Sequence, residues 1–141
     1  MYASSRQYAE QYRKIGATSS ILEADPHKLV QLLLEGASTR LRQAMAHMER
    51  GDNAAKGKAI SRTCDIISHL ASSLEPQRGG EIADNLGALY DYILLRVTQG
   101  NLANDRQALE EALDLLGQIE AGWSAIAHGT AAAQPAAGAH A

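Results

Sequence analysis

Leucine, isoleucine and alanine recur at intervals of three and four along four stretches of the chain, and clusters of Gly, Pro, Asn and Asp stand between the stretches. A period of about 3.6 belongs to an amphipathic helix, and the clusters are helix punctuators. The first start signal is Asp25-Pro26: a carboxylate able to cap free N–H groups, then a residue whose missing N–H costs nothing in a first turn. A helix is predicted from there to about Arg50 on the line Leu29, Leu33, Ala37, Leu41, Ala44 or Met45, and Met48. Val30, Leu32 and Leu34 widen its N-terminal end, and Gly51-Asp52-Asn53 supplies a terminal glycine and a fresh cap.

The second helix is predicted over about 54–74 on Ile60, Cys64, Ile67, Leu70 or Ala71, and Leu74, before Glu75-Pro76-Gln77-Arg78-Gly79-Gly80 breaks it. The third, over about 81–99, carries two adjacent stripes: Ile82, Leu86, Leu89, Ile93 and Val97, and Ala83, Gly87, Tyr90 and Leu94. Gly100 to Asn104 reads as the next break. Asn104 or Asp105 then caps a fourth helix reaching about Ala127 on Leu109, Leu113, Leu116, Ile119, Trp123 and Ile126. Trp123 continues this stripe in phase and is expected to plug one end of a core.

Residues 1–24 read as an N-terminal arm or short helix, with Tyr8 and Tyr12 four apart and so on one face of any helix they form. Residues 128–141 lack large apolar side chains and are expected to be a disordered tail. Helices joined by short breaks favour antiparallel neighbours. The fold class expected for 25–127 is therefore all-α, an antiparallel up-down four-helix bundle.

Composition sharpens this picture. Phe is absent and only five Tyr and one Trp are present, so the core must rest on Leu, Ile and Ala, as in helical rather than sheet proteins. A length of 141 residues suits one core. A net charge of −3 provides no clustered cationic surface for nucleic acid. Cys64 is the only cysteine, so no intrachain disulfide can form. The stretch Met1 to Lys14 lacks the apolar run of a secretory signal, and Leu29 to Leu34 falls far short of the ~20 residues a membrane span needs. The chain is expected in the cytosol, without membrane insertion.

The usual catalytic constellations are missing. Gly51-Asp52-Asn53-Ala54-Ala55-Lys56-Gly57-Lys58-Ala59 resembles a phosphate loop, but five residues separate its glycines and Ala59 stands where a magnesium-binding hydroxyl belongs, so it reads as a helix–helix turn. No His has Glu three places before it, as a di-iron bundle would need, and His27, His47 and His69 are isolated in sequence. Cys64 sits on an apolar stripe and reads as a small core residue. Neither an enzyme nor a cofactor is expected.

The positive signal is apolar surplus. The N-terminal half of helix one and much of helix three exceed the three apolar positions or so per heptad that one seam requires. Surplus of this kind marks a contact surface, and Leu32, Leu33, Leu34, Leu89, Tyr90, Tyr92 and Ile93 are its candidate partner-binding residues. Tyr90 and Tyr92 stand about 200° apart round a helix, so one is expected to be structural and the other free for a partner.

Gly79-Gly80-Glu81-Ile82-Ala83-Asp84-Asn85-Leu86, continuing to Leu89-Tyr90-Asp91-Tyr92-Ile93, resembles the most characteristic segment of the flagellar secretion chaperone FliS family. Asp25-Pro26-His27-Lys28-Leu29 with Leu34-Glu35-Gly36-Ala37 is similar to that family's first helix, and Gly51-Asp52 with Lys56-Gly57 and Ala59-Ile60 to its first turn. Asn101-Leu102, Asn104-Asp105 and Trp123 also match, in order, over about residues 8 to 126. Leu34 departs from the family's usual aromatic and Gly100 from its usual Ala, the second expected only to loosen a helix end. The resemblance implies a bundle that binds the C-terminal segment of flagellin, prevents premature polymerisation and presents it to the flagellar export gate components. It implies no cofactor, and it places at Tyr8 and Tyr12 an arm that covers part of the groove until flagellin arrives. The alternatives are a self-associating helical adaptor and a regulator that sequesters a flagellar regulatory protein.

Overall fold

The computed structural model describes residues 25–74 and 80–126. Four helices follow one another: α1 Pro26–Arg50, α2 Asn53–Ser72, α3 Glu81–Ala103 and α4 Arg106–Ala125. Three begin at an aspartate whose carboxylate takes up one of the unpaired first-turn N–H groups. Asp25 accepts from Lys28 N at 3.2 Å, Asp52 from Ala55 N at 3.1 Å and Asp105 from Ala108 N at 3.3 Å. α3 starts from Gly80 without a side-chain cap, and Glu81 and Asp84 in its first turn complement the positive helix end instead.

Gly51 closes α1 at φ 75°, a left-handed conformation costly for other residues, and its N–H returns to Met48 O at 3.1 Å. Asn104 plays the same part for α3 at φ 51°. The break expected at 100–104 therefore shrinks to Asn104-Asp105, and α3 runs on to Ala103. Gly100 is a buried residue inside the helix, where α3 and α4 approach closely: a Cβ there would lie 2.5 Å from Leu109 Cδ2 and 2.8 Å from Leu109 Cγ. Its glycine is a packing requirement, which corrects the expectation of a loosened helix end.

Each helix packs against its neighbours in the chain, and α1 closes the ring against α4. With two-residue links at Gly51-Asp52 and Asn104-Asp105, adjacent helices must run antiparallel, giving the up-down bundle expected. Leu34, Leu41, Ile67, Ile93, Val97, Leu109 and Leu116 lose all or nearly all solvent contact in its centre. Each such side chain contributes about 1.5–3 kcal/mol of burial free energy. Because α1 lies between α2 and α4, it needs apolar residues on two sides, and packing absorbs Leu33 and Leu34, while Leu32 stays half-buried outside the core cluster.

Polar clasps close both ends of the bundle. At one end Lys56 is buried, and its ammonium donates to Asn101 O at 3.1 Å and to the Asn104 side chain, tying α2 to the last turn of α3. At the other end the His27 and Trp123 rings stack with centroids 4.7 Å apart and planes 11° off parallel. Trp123 Nε1 donates to His27 O at 2.9 Å and His27 Nε2 to Trp123 O at 2.8 Å. A carbonyl only accepts, so Nε2 is the protonated nitrogen. Trp123 is thus half-buried, and it closes the α1–α4 seam rather than plugging the core alone.

Candidate partner-binding site

Of the six large hydrophobic residues exposed among the described residues, five lie on α3: Ile82, Leu89, Tyr92, Leu95 and Leu102; the sixth is Ile126. A helix that buries Ala83, Tyr90, Ile93, Val97 and Gly100 has one side committed to the bundle. Leu89, Tyr92 and Leu95 follow at intervals of three, so the line they draw slips back about 60° per step and winds onto the outward side. Leu102 is 81% exposed and Leu95 52%, values that internal packing does not require. Exposed apolar side chains spaced along one helix mark a candidate contact surface.

Tyr92 is its polar anchor. Its hydroxyl donates to Glu111 Oε2 at 2.8 Å, and Arg96 Nε donates to Glu111 Oε1 at 2.7 Å. The Tyr92 and Arg96 hydrogen bonds hold the Glu111 carboxyl below its usual range. The same Tyr92–Glu111 bond, helped by partial desolvation and the carboxylate's charge, pushes the phenol up against the opposing pull of Arg96. The phenol therefore keeps its proton and the carboxylate its charge.

The structure divides the candidate residues. Tyr90 and Ile93 are buried in the bundle while Tyr92 and Leu89 face outward, so the expected split between the two tyrosines holds. Leu33 and Leu34 are also buried and Leu32 is half-buried. For Leu33, Leu34, Tyr90 and Ile93 the role observed is core packing, a correction to their reading as surface contacts. The α1 and α3 candidates do not come together in one groove either, because the two helices stand diagonally across the ring. Tyr8 and Tyr12 lie outside the described residues, as do residues 128–141.

The sequence reading did not place Leu95, Leu102, Arg96 or Glu111 at a contact surface. Leu95 and Leu102 lie seven apart and off both apolar stripes of α3, and that phase was the available signal. Glu111 is exposed, and only its position across from Tyr92 sets it apart.

The remaining features are plainer. The segment that resembles a phosphate loop forms the α1–α2 turn and the start of α2. Burial, reinforced by the Asp65 charge, pushes the Cys64 thiol up and away from reactivity. An open hollow of about 550 Å³ runs along α4 over Leu113, Gly117 and Ala121, bordered by Glu110, Asp114 and Gln118. Among the described residues no His, Cys, Asp and Glu cluster is placed to hold a metal, and no helix is long and apolar enough to cross a membrane.

The fold defines the class: an antiparallel four-helix bundle with exposed apolar side chains along α3. The chain belongs to the Flagellar protein FliS family, whose model matches residues 8–130. It is 42% identical over 116 residues to the flagellar secretion chaperone FliS of Salmonella typhimurium, covering 82% of this chain and 86% of that one. It is 39% identical over 119 residues to the flagellar secretion chaperone FliSB of Pseudomonas aeruginosa, covering 84% and 94%. With the FliS protein of Bacillus subtilis the identity is 29% over 105 residues, 74% of this chain and 77% of that one.

Proposed function

We propose that this chain is a cytosolic flagellar export chaperone that binds the disordered C-terminal segment of flagellin, prevents premature polymerisation and delivers it to the flagellar type III export apparatus. The observation that carries this reading is the outward apolar strip Leu89, Tyr92, Leu95 and Leu102 on a chain of this family. A segment that folds as it binds spends ordering entropy and must bury about 1,000–3,000 Å² to repay it. One helix face is too small for that. The segment therefore extends from α3 onto neighbouring surfaces, and wrapping replaces insertion into a pocket.

Delivery requires release. A contact made of several moderate surfaces can be dismantled stepwise, whereas one deep anchor holds its cargo. The arm over residues 1–24, with Tyr8 and Tyr12, is proposed to compete with cargo for part of this surface.

Titration calorimetry with the last ~50 residues of the same organism's flagellin tests the proposal, a length sufficient for a coupled-folding interface. One-to-one binding with a large negative heat-capacity change is expected. No heat at several temperatures, together with concentration-dependent oligomers in sedimentation, would overturn it in favour of self-association through the same strip.

A further inference from the structure

A single hydrogen-bonded chain crosses from α3 to α4 in the middle of the apolar strip. Arg96 Nη1 donates to Gln99 Oε1 at 2.7 Å, Arg96 Nε to Glu111 Oε1 at 2.7 Å, and the Tyr92 hydroxyl to Glu111 Oε2 at 2.8 Å. Each carboxylate oxygen of Glu111 thus holds one donor. Exposed ion pairs add little to stability and immobilise long side chains, so stability is a weak reason for this arrangement. Orientation is what it supplies. A phenol has one proton, and here Glu111 on α4 takes it, which leaves the oxygen of this exposed side chain only acceptor capacity to offer.

We propose that Tyr92 meets the bound segment as a hydrogen-bond acceptor, with Glu111 and Arg96 as positioning residues that fix its polarity. The segment must then present an N–H at this point. In an extended stretch or the first turn of a helix that group is a backbone amide, so the contact reads chain conformation rather than side-chain identity. A carbonyl or carboxylate of the partner opposite Tyr92 would face an oxygen with no proton to offer, and that register is disfavoured. The strip supplies area, and Tyr92 supplies registration along it.

This inference rests on the reading of α3 as a flagellin-binding face, and one experiment separates the two. Calorimetry of the full chain against the last ~50 residues of flagellin would compare wild type with Tyr92→Phe, Glu111→Ala and the double variant. Tyr92→Phe keeps the ring and removes the acceptor, and an affinity loss of about five- to tenfold is expected, the value of one hydrogen bond. Glu111→Ala lets the hydroxyl turn and is expected to cost about the same, while the double variant loses no more than either single one. A purely structural role for Glu111 would add its loss to that of Tyr92→Phe and lower the urea midpoint, and that result would overturn the proposal. Wild-type binding with undiminished affinity in Tyr92→Phe would overturn it too, leaving the flagellin reading intact. Absence of wild-type binding would overturn both.

Discussion

The Lys56 ammonium donates to the side chain of Asn104, the residue whose left-handed backbone ends α3, and to the backbone carbonyl of Asn101. A buried cation is costly unless it is hydrogen-bonded, and these two oxygens take two of its three donors while fixing the corner from which α4 departs. Lys56→Met keeps the aliphatic stem and removes the ammonium, leaving the two oxygens to find other partners. A loss of about 1–3 kcal/mol in urea unfolding is expected.

Gly100 and Gly117 both lie inside helices, yet the same substitution should act on them with opposite sign. Gly→Ala in an unencumbered helix stabilises by about 1 kcal/mol. At Gly117 an added Cβ meets nothing within 4 Å, so Gly117→Ala should gain close to that amount. At Gly100 the added carbon runs into Leu109, and overpacking of this kind costs about 1–3 kcal/mol. Thermal unfolding of the two variants side by side checks the prediction.

The His27–Trp123 clasp can be read directly, since Trp123 is the only tryptophan in the chain. Trp123→Phe retains an aromatic ring but loses the indole N–H bond to His27 O, and a cost of about 1 kcal/mol is expected. His27→Ala removes the stacked ring, and Trp123 emission should shift to the red as water reaches the indole. Unchanged emission would mean that the stack does not shield it.

Alkaline pH should weaken the fold through Tyr90. Burial pushes its phenol up to about 12 from an ordinary value of 10.0. The folded state therefore keeps a proton that the unfolded chain gives up. This contribution is whole below pH 10.0 and is lost as pH rises through about 12. It amounts to something on the order of 2 kcal/mol. Chemical denaturation of wild type and Tyr90→Phe between these limits should show the decline in wild type and a smaller one in the variant.

The helices were legible because their ends are written locally: Asp25-Pro26, Gly51-Asp52 and Asp105 each act within four residues of where they stand. The end of α3 was misread because Gly100 looks like a breaker in sequence, and only the proximity of α4 gives it another purpose. Lys56 with Asn104 and His27 with Trp123 were each noted as members of separate motif blocks. Their pairing is tertiary, across 48 and 96 positions, and no periodicity records it. Surplus apolar content pointed to α3, where five of the six exposed large hydrophobic residues among the described ones lie, while most of the surplus in α1 belonged to a helix with two neighbours to satisfy. Which tyrosine faces out follows once the bundle supplies a direction for the core.

The outer strip of α3 carries the functional account, and Leu95→Glu addresses it most directly. The side chain is half exposed and outside the core cluster, so the variant should unfold at the wild-type midpoint. Calorimetry with the flagellin C-terminal segment should nevertheless show an affinity at least about tenfold weaker, equivalent to about 1.4 kcal/mol, because a charge would be buried without a partner. Wild-type affinity in this folded variant would contradict the account and move the binding surface away from α3.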